Sequence, residues 1–384
     1  MTFNAITVAQ SFVDEIHRRA PEIESVRRLP PDLAKKFAQA GLFRMLLPAV
    51  LGGHETPPAQ LALAIETLAQ ADASAAWCVM IGATTGAMAN RLSAGMARQV
   101  FGDPDVIAAG VYAPMGKAVE DGDDWIVTGR WQWGSGSQNA HWIAGGAMLM
   151  GPDGPLTGED GQPLHRMMIF KAEEVELIDT WRTSGLCGTG SLDFQVRDVR
   201  VPKARSVALQ SDPVTVNTPL ARFPIFGMLA LGVTAVALGN ARGALLAAGN
   251  AAQTKKSAGS TRTMAERNVV QMDFSRAVAK LSAARAHYFE TIGVLWTAVQ
   301  AGGDGGIEPR NRLRLACTHA AEVSADVSKA AYDMMGGSAV YLENDLQRRF
   351  RDANVITHHA MVAPAMYEVT GRVLLGLPTR TDQL

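Results

Sequence analysis

Gly336-Gly337-Ser338-Ala339-Val340-Tyr341, then Leu346-Gln347-Arg348-Arg349-Phe350-Arg351-Asp352, then His358-His359: this stretch near the C-terminus decides the reading of the chain. A glycine pair breaks one helical pattern. A cationic run with one acid opens another, and two adjacent histidines close it. Neighbouring residues on a helix point roughly 100° apart, so the two imidazoles face different surroundings. Upstream, from Pro219 on, apolar residues recur at helical spacing, interrupted by Gly302-Gly303-Asp304-Gly305-Gly306. That glycine cluster has no Lys-Ser/Thr after it and no strand before it, which predicts an interhelix loop and not a phosphate cradle.

Further outward the period changes. Trp125 to Trp133 alternates apolar and polar residues, as a half-buried strand does, and Trp142–Met150 and Arg166–Phe170 read as further strands. Leu192–Val201 alternates too, with a phase slip at Arg197-Asp198 that predicts a bulge. The first hundred residues are helical again: Thr7–Arg19 is amphipathic, Pro30-Pro31-Asp32 opens a second helix, and Pro58–Gln70 a third. Helices, strands, then helices give an α+β protein in three parts: a helical domain over 1–105, a β-domain over 106–212 and a helical bundle over 213–384.

With 36 Lys and Arg against 37 Asp and Glu, the chain has no basic surface for nucleic acid. Two uncharged runs, Ala73–Asn90 and Phe223–Ala241, approach the length of a membrane span, but their Ala, Gly and Thr content predicts close-packed helices inside a bundle. Three scattered cysteines (Cys78, Cys187, Cys317) and an N-terminus without a signal pattern predict a reducing, cytoplasmic setting and no zinc site. No metal is expected.

The central strands carry a second informative run, Gly129-Arg130-Trp131-Gln132-Trp133-Gly134-Ser135-Gly136, followed by Ala140-His141-Trp142. Together with 336–359 it resembles the acyl-CoA dehydrogenase superfamily, in the form found in its flavin-dependent monooxygenase branch. The resemblance implies an N-terminal helical domain, a barrel-like or sandwich-like β-domain and a C-terminal four-helix bundle. It further implies that Trp133 and Ser135 face the flavin, with the Ser135 hydroxyl near N5. Tyr112-Ala113-Pro114 would border the isoalloxazine edge, and Gly336-Gly337 would approach flavin phosphate. Thr189 and Ser191, in the loop after Gly185, are expected to position the strand that comes next. A homotetramer is the family's usual assembly. On the residues alone, the tryptophans also fit simple core aromatics, and the histidine pair fits one packed and one solvated ring.

The branch assignment rests on a missing carboxylate. In the family's dehydrogenases a Glu removes the substrate α-proton; with no gap introduced it falls at Ala360. The alternative position, on the first bundle helix, is also without an acid: between Val199 and Ala265 the one carboxylate is Asp212. A histidine seven positions after Asp352, His359, matches the oxygenase branch instead. The resemblance therefore implies the oxygenase component of a two-component monooxygenase. It would use reduced FMN or FAD and O2, through a C4a-hydroperoxide, to hydroxylate an aromatic or heteroaromatic substrate.

An imidazole titrating near neutrality would serve that chemistry. The family's dehydrogenases show an Arg followed by Phe-Gly in this region, helping to hold the FAD dinucleotide; Ser260 to Glu266 contains Arg262 but no Phe-Gly, so the resemblance implies FMNH2 as the preferred form. A separate NAD(P)H:flavin reductase is the expected partner. The substrate is expected to be small, hydrophobic and uncharged or weakly charged, bounded by residues such as Met80, Phe226 and Met228. A desaturase with tightly bound FAD, an N- or S-oxygenase and a non-catalytic relative are the alternatives.

Overall fold

A computed structural model describes residues 3–256 and 259–384. Five helices come first: α1 (Ala5–Ser25), α2 (Pro31–Gln39), α3 (Pro58–Ala71), α4 (Ala73–Gly86) and α5 (Ala94–Phe101). Local chemistry sets their starts. Asn4, Asp72 and Ser93 accept from the amides of Thr7, Ala75 and Met96. Pro31 and Pro58 stand at the first helical position, where a missing N–H costs nothing.

Eight strands come after them: β1 (Ala108–Asp121), β2 (Asp124–Gly134), β3 (Trp142–Gly151), β4 (Gly154–Pro155), β5 (His165–Lys171), β6 (Glu176–Ile178), β7 (Leu192–Pro202) and β8 (Ser206–Val207). They form one continuous mixed sheet, ordered β6-β7-β2-β1-β3-β5-β8 with β4 on β3. Among the described residues, β1 and β3 are the one parallel pair. Both faces are covered, and β5 shows it residue by residue. Met168 and Phe170 join the core of Trp131 and Phe194, while Met167 and Ile169 face Val100 and Phe101 of α5.

The predicted bulge is present: Val127 pairs with Val199 but Gly129 with Val196, and Asp198 takes a φ of 52°. A second slip lies between the pairs Trp131–Phe194 and Gly134–Leu192. It throws Trp133 out of the expected alternation, with φ 66° and 60% of its surface exposed. The strand's final aromatic is therefore not part of the sheet's core.

The chain ends in α6 (Pro219–Arg222), α7 (Ile225–Thr254), α8 (Asn268–Ala301), α9 (Ile307–Met335), α10 (Asp345–Ile356) and α11 (Ala365–Leu374), with the 302–306 glycines between α8 and α9. Helix α7 is long and apolar enough to cross a membrane, yet 83% of its most apolar window is buried inside the protein. Its small residues allow close approach: a Cβ on Gly239 would sit 2.3 Å from the Glu66 carbonyl of α3. The buried Glu66 carboxylate is met by Arg242 at 2.7 Å and Arg285 at 2.8 and 3.0 Å, so its charge is not left unpaired inside the bundle.

Candidate active site

Helix α10 ends at Ile356, and the amides of His358 and His359 close a turn on the carbonyls of Val355 and Ile356. The turn sends the two rings apart. His358 is exposed; His359 is half-buried, edge-on to Trp77 of α4 with ring centroids 5.3 Å apart. The His359 Nδ1 accepts from the Met361 amide at 3.3 Å. Burial first, and the charge of Arg314 second, push this imidazole down to about 4. The expectation of titration near neutrality is thereby corrected: among the described residues no carboxylate stands by to hold a proton on the ring, and the charge that bears on it, Arg314, is cationic.

Arg314 is itself completely buried. Its Nη1 donates to the Phe226 carbonyl at 2.9 Å and lies 3.3 Å from the Met361 sulfur, while Nε and Nη2 have no partner. Burial pushes this guanidinium down to about 10, which still leaves it charged at neutral pH.

From Trp77 a relay of donors runs into the β-domain. The indole Nε1 donates to Ser135 Oγ at 3.1 Å, Ser135 Oγ lies 2.6 Å from Ser191 Oγ, and Ser191 Oγ lies 2.6 Å from Thr189 Oγ1. Thr189 Oγ1 in turn donates to the Leu186 carbonyl at 2.8 Å. A carbonyl can only accept and an indole N–H can only donate, so every proton in the relay points from Trp77 toward Leu186. Ser135 gives its proton to Ser191, receives one bond from Trp77 and keeps one lone pair free. Beside it is a small cleft lined by residues that include Ser135, Gly136, Cys78, Phe43, Ile107 and Ala109.

The Arg-Asp motif fixes this arrangement from behind. Asp352 Oδ1 accepts from the Leu186 amide at 2.6 Å, and Arg348 sits 3.6 Å from Asp72, the N-cap of α4. One helix thereby ties down both ends of the relay, the loop at Leu186 and the helix that carries Trp77. Gly185 is required by the same contact, since a Cβ there would lie 2.5 Å from the Arg351 carbonyl.

The other expected residues are spread more widely. Tyr112 packs edge-on to Phe226 at 4.9 Å, and its hydroxyl lies 2.7 Å from His165 Nε2 and 3.2 Å from Gln210 Oε1. Around Ala113 and Pro114 the pairing of β1 with β3 slips. Tyr112 thus belongs with the start of α7 rather than with the hydroxyl relay. Gly336 and Gly337 form an exposed turn, Gly336 at φ 54°, with no neighbour within 4 Å of an added Cβ at either. Lys255 Nζ donates to the adjoining Met335 carbonyl and Ser338 hydroxyl. Among the described residues no three His, Cys, Asp or Glu side chains gather as metal ligands.

These groups fit a flavin ring. An exposed indole at Trp133 and a hydroxyl with a free lone pair offer a planar face and one polar anchor, and reduced flavin presents an N–H at N5 for such an acceptor. Neither Trp77 nor Arg314 emerged from the sequence. The one signal for Trp77 is its bulk in a helix otherwise built mainly of small residues. Arg314 looks like its neighbours Arg310 and Arg312 until the packing shows it buried.

Comparison with known proteins finds relatives over nearly the whole chain. Residues 5–99 match the family described as acyl-CoA dehydrogenase, N-terminal domain, and residues 231–364 the acyl-CoA dehydrogenase, C-terminal domain. The indole-3-acetate monooxygenase of Acinetobacter baumannii is 31% identical over 94% of this chain and 92% of its own length. The oxygenase component of the FADH(2)-dependent resorcinol hydroxylase of Rhizobium sp. is 27% identical over 95% and 92%. The crystal structure of the HsaA monooxygenase from M. tuberculosis, 26% identical, superposes with a TM-score of 0.90 over 99% of both chains.

Proposed function

The chain belongs to the flavin-dependent monooxygenase branch of the acyl-CoA dehydrogenase superfamily, and from that membership we propose how its site works and what it acts on. It is an oxygenase. Bound reduced flavin supplies electrons for the activation of O2. Ser135 would hold the N5 hydrogen of a bound reduced flavin through its free lone pair, while the Trp77 and Ser191 bonds on either side keep its oxygen from turning away. His359, neutral at pH 7, stands across Trp77; with Nδ1 accepting from the Met361 amide, its Nε2–H is left to donate a hydrogen bond without adding a charge. The exposed Trp133 would lie against one face of the flavin ring. Gly336 and Gly337, beside Lys255, stand where phosphate oxygens would be met by backbone and ammonium donors.

The observation that carries the reading is the one-way hydroxyl relay ending at Ser135, opposite a neutral His359 with no carboxylate beside it. Two acids that could serve a desaturase are engaged, Asp212 with Arg166 at 2.7 and 3.1 Å and Asp352 with the Leu186 amide, and Glu368 is exposed more than two turns beyond His359. An aromatic or heteroaromatic substrate, FMNH2 as the preferred form and a separate flavin reductase complete the proposal. Indole-3-acetate and resorcinol, acted on by the relatives named above, are the first substrates to try.

A homotetramer is proposed as the assembly, supported by the exposed Val340, Tyr341 and Leu342 beside the Gly336–Gly337 turn. The test of the function is a coupled assay with NADH, a flavin reductase and ¹⁸O2. Product carrying one labelled oxygen is expected. A desaturated, unlabelled product would overturn the reading.

A further inference from the structure

Thr189 is the far end of the hydroxyl relay. It is buried in the loop between β6 and β7, and its Oγ1 meets the Leu186 carbonyl at 2.8 Å and Ser191 Oγ at 2.6 Å. The loop is tied down around it. The Thr189 carbonyl accepts from the Gly136 amide at 2.9 Å, next to Ser135 in the chain. The Leu186 carbonyl also accepts from the Thr189 amide at 3.1 Å and from the Trp181 indole at 3.0 Å. Among the described residues, the hydroxyls of Ser135 and Ser191 meet Trp77, Thr189 and each other, so neither has a fixed acceptor of its own.

Three hydroxyls in a row can hydrogen-bond in two senses. In one, Ser135 donates to Ser191, Ser191 to Thr189 and Thr189 to Leu186. In the other, Thr189 donates to Ser191, Ser191 to Ser135, and the Ser135 proton turns away from the relay. The second sense leaves the Thr189 and Leu186 oxygens facing each other at 2.8 Å with no proton between them, an unmade bond in a buried place. Leu186 therefore biases Ser135 across two intervening hydroxyls, and Thr189 is the residue that reads the bias. The sense matters because flavin N5 changes character with redox state. Reduced flavin carries an N–H there and needs an acceptor; oxidised flavin has a bare nitrogen and needs a donor.

We propose that Thr189 is a positioning residue that fixes Ser135 as an acceptor and thereby makes the site select reduced over oxidised flavin. The inference rests on the monooxygenase reading above, and assigns its choice of flavin redox state to a residue that does not touch the flavin.

Anaerobic titration with FMNH2 by calorimetry, and with FMN by quenching of flavin fluorescence, gives the ratio of the two dissociation constants. Wild type is expected to bind FMNH2 about tenfold or more tightly than FMN. Thr189→Val keeps the shape and removes the hydroxyl, so Ser191 donates back to Ser135 and the two affinities are expected to fall within about threefold of each other. Thr189→Ser keeps the hydroxyl and most of the preference. Lost packing alone would weaken both flavin states together and leave the ratio where it was. Ser191→Ala cuts the relay in its middle and is expected to lose the preference as well, so a misfolded Thr189→Val does not blunt the test. A preference that survives both Thr189→Val and Ser191→Ala overturns the proposal. Equal affinity of the wild-type protein for FMN and FMNH2 overturns it too, and leaves the monooxygenase reading standing. Binding of neither flavin overturns both.

Discussion

Ser135 differs from an ordinary buried hydroxyl in the direction of its bonds. Its proton is committed to Ser191 and one lone pair to Trp77, so the remaining lone pair acts as a fixed acceptor. Ser135→Ala is expected to divert reducing equivalents to hydrogen peroxide, lowering product per O2 consumed by about tenfold, while Ser135→Thr keeps most of the coupling. A peroxide electrode beside product analysis measures both. His359 gives a prediction in pH. Its ring is lowered from 6.5 to about 4 in the folded chain, so between those values the unfolded state binds more protons. The contribution to stability is complete above about 6.5 and is lost as pH falls toward 4. Denaturation midpoints measured across that window should therefore fall less steeply for His359→Ala than for wild type. Arg314→Met removes the nearby cation and should raise the His359 midpoint in an NMR titration, without restoring 6.5, because burial is the larger cause. Ser135 and His359 could be proposed from the sequence because they sit in short runs that resemble the family's motifs. Trp77 and Arg314 were not, because each acquires its role from a partner more than 40 residues away.

At the scale of elements, α10 acts as a clamp. Asp352 reaches the Leu186 amide, and Arg348 reaches Asp72 under α4. Burial, and secondarily the Asp72 charge, raise the Asp352 carboxyl to about 7, so a neutral side chain that can still accept should serve there. Asp352→Asn is expected to fold and couple nearly as the wild type. Asp352→Ala, which strands a buried amide, should cost about 1–3 kcal/mol in urea denaturation and loosen the 186–191 loop. The order and type of the main elements were readable from period alone, including the 197–198 bulge and the 302–306 loop. The end of β2 was not. Trp133 continues the apolar alternation in sequence, and only the pairing slip against β7 turns it outward. A register shift is a property of two strands, and neither strand announces it alone.

At the scale of the whole molecule, the helical layers and the sheet meet at Trp77, which touches His359 from the last third of the chain and Ser135 from the middle. The site exists only where all three parts come together, so no single segment is expected to bind reduced flavin productively. Exposed apolar side chains at Trp133, Val340, Tyr341 and Leu342 lie on such parts too, and sedimentation should show an assembly larger than a monomer, weakened by Tyr341→Asp. The central claim is that this chain holds reduced flavin so that oxygen reacts productively under the control of Ser135 and His359. Its most direct test is rapid mixing of the anaerobic, FMNH2-loaded protein with oxygenated buffer while the absorbance of oxidised flavin is monitored. Oxidised flavin should appear after a lag absent from free FMNH2, and Ser135→Ala and His359→Ala should each shorten that lag. Immediate oxidation at the rate of free flavin, indifferent to both substitutions, would contradict it.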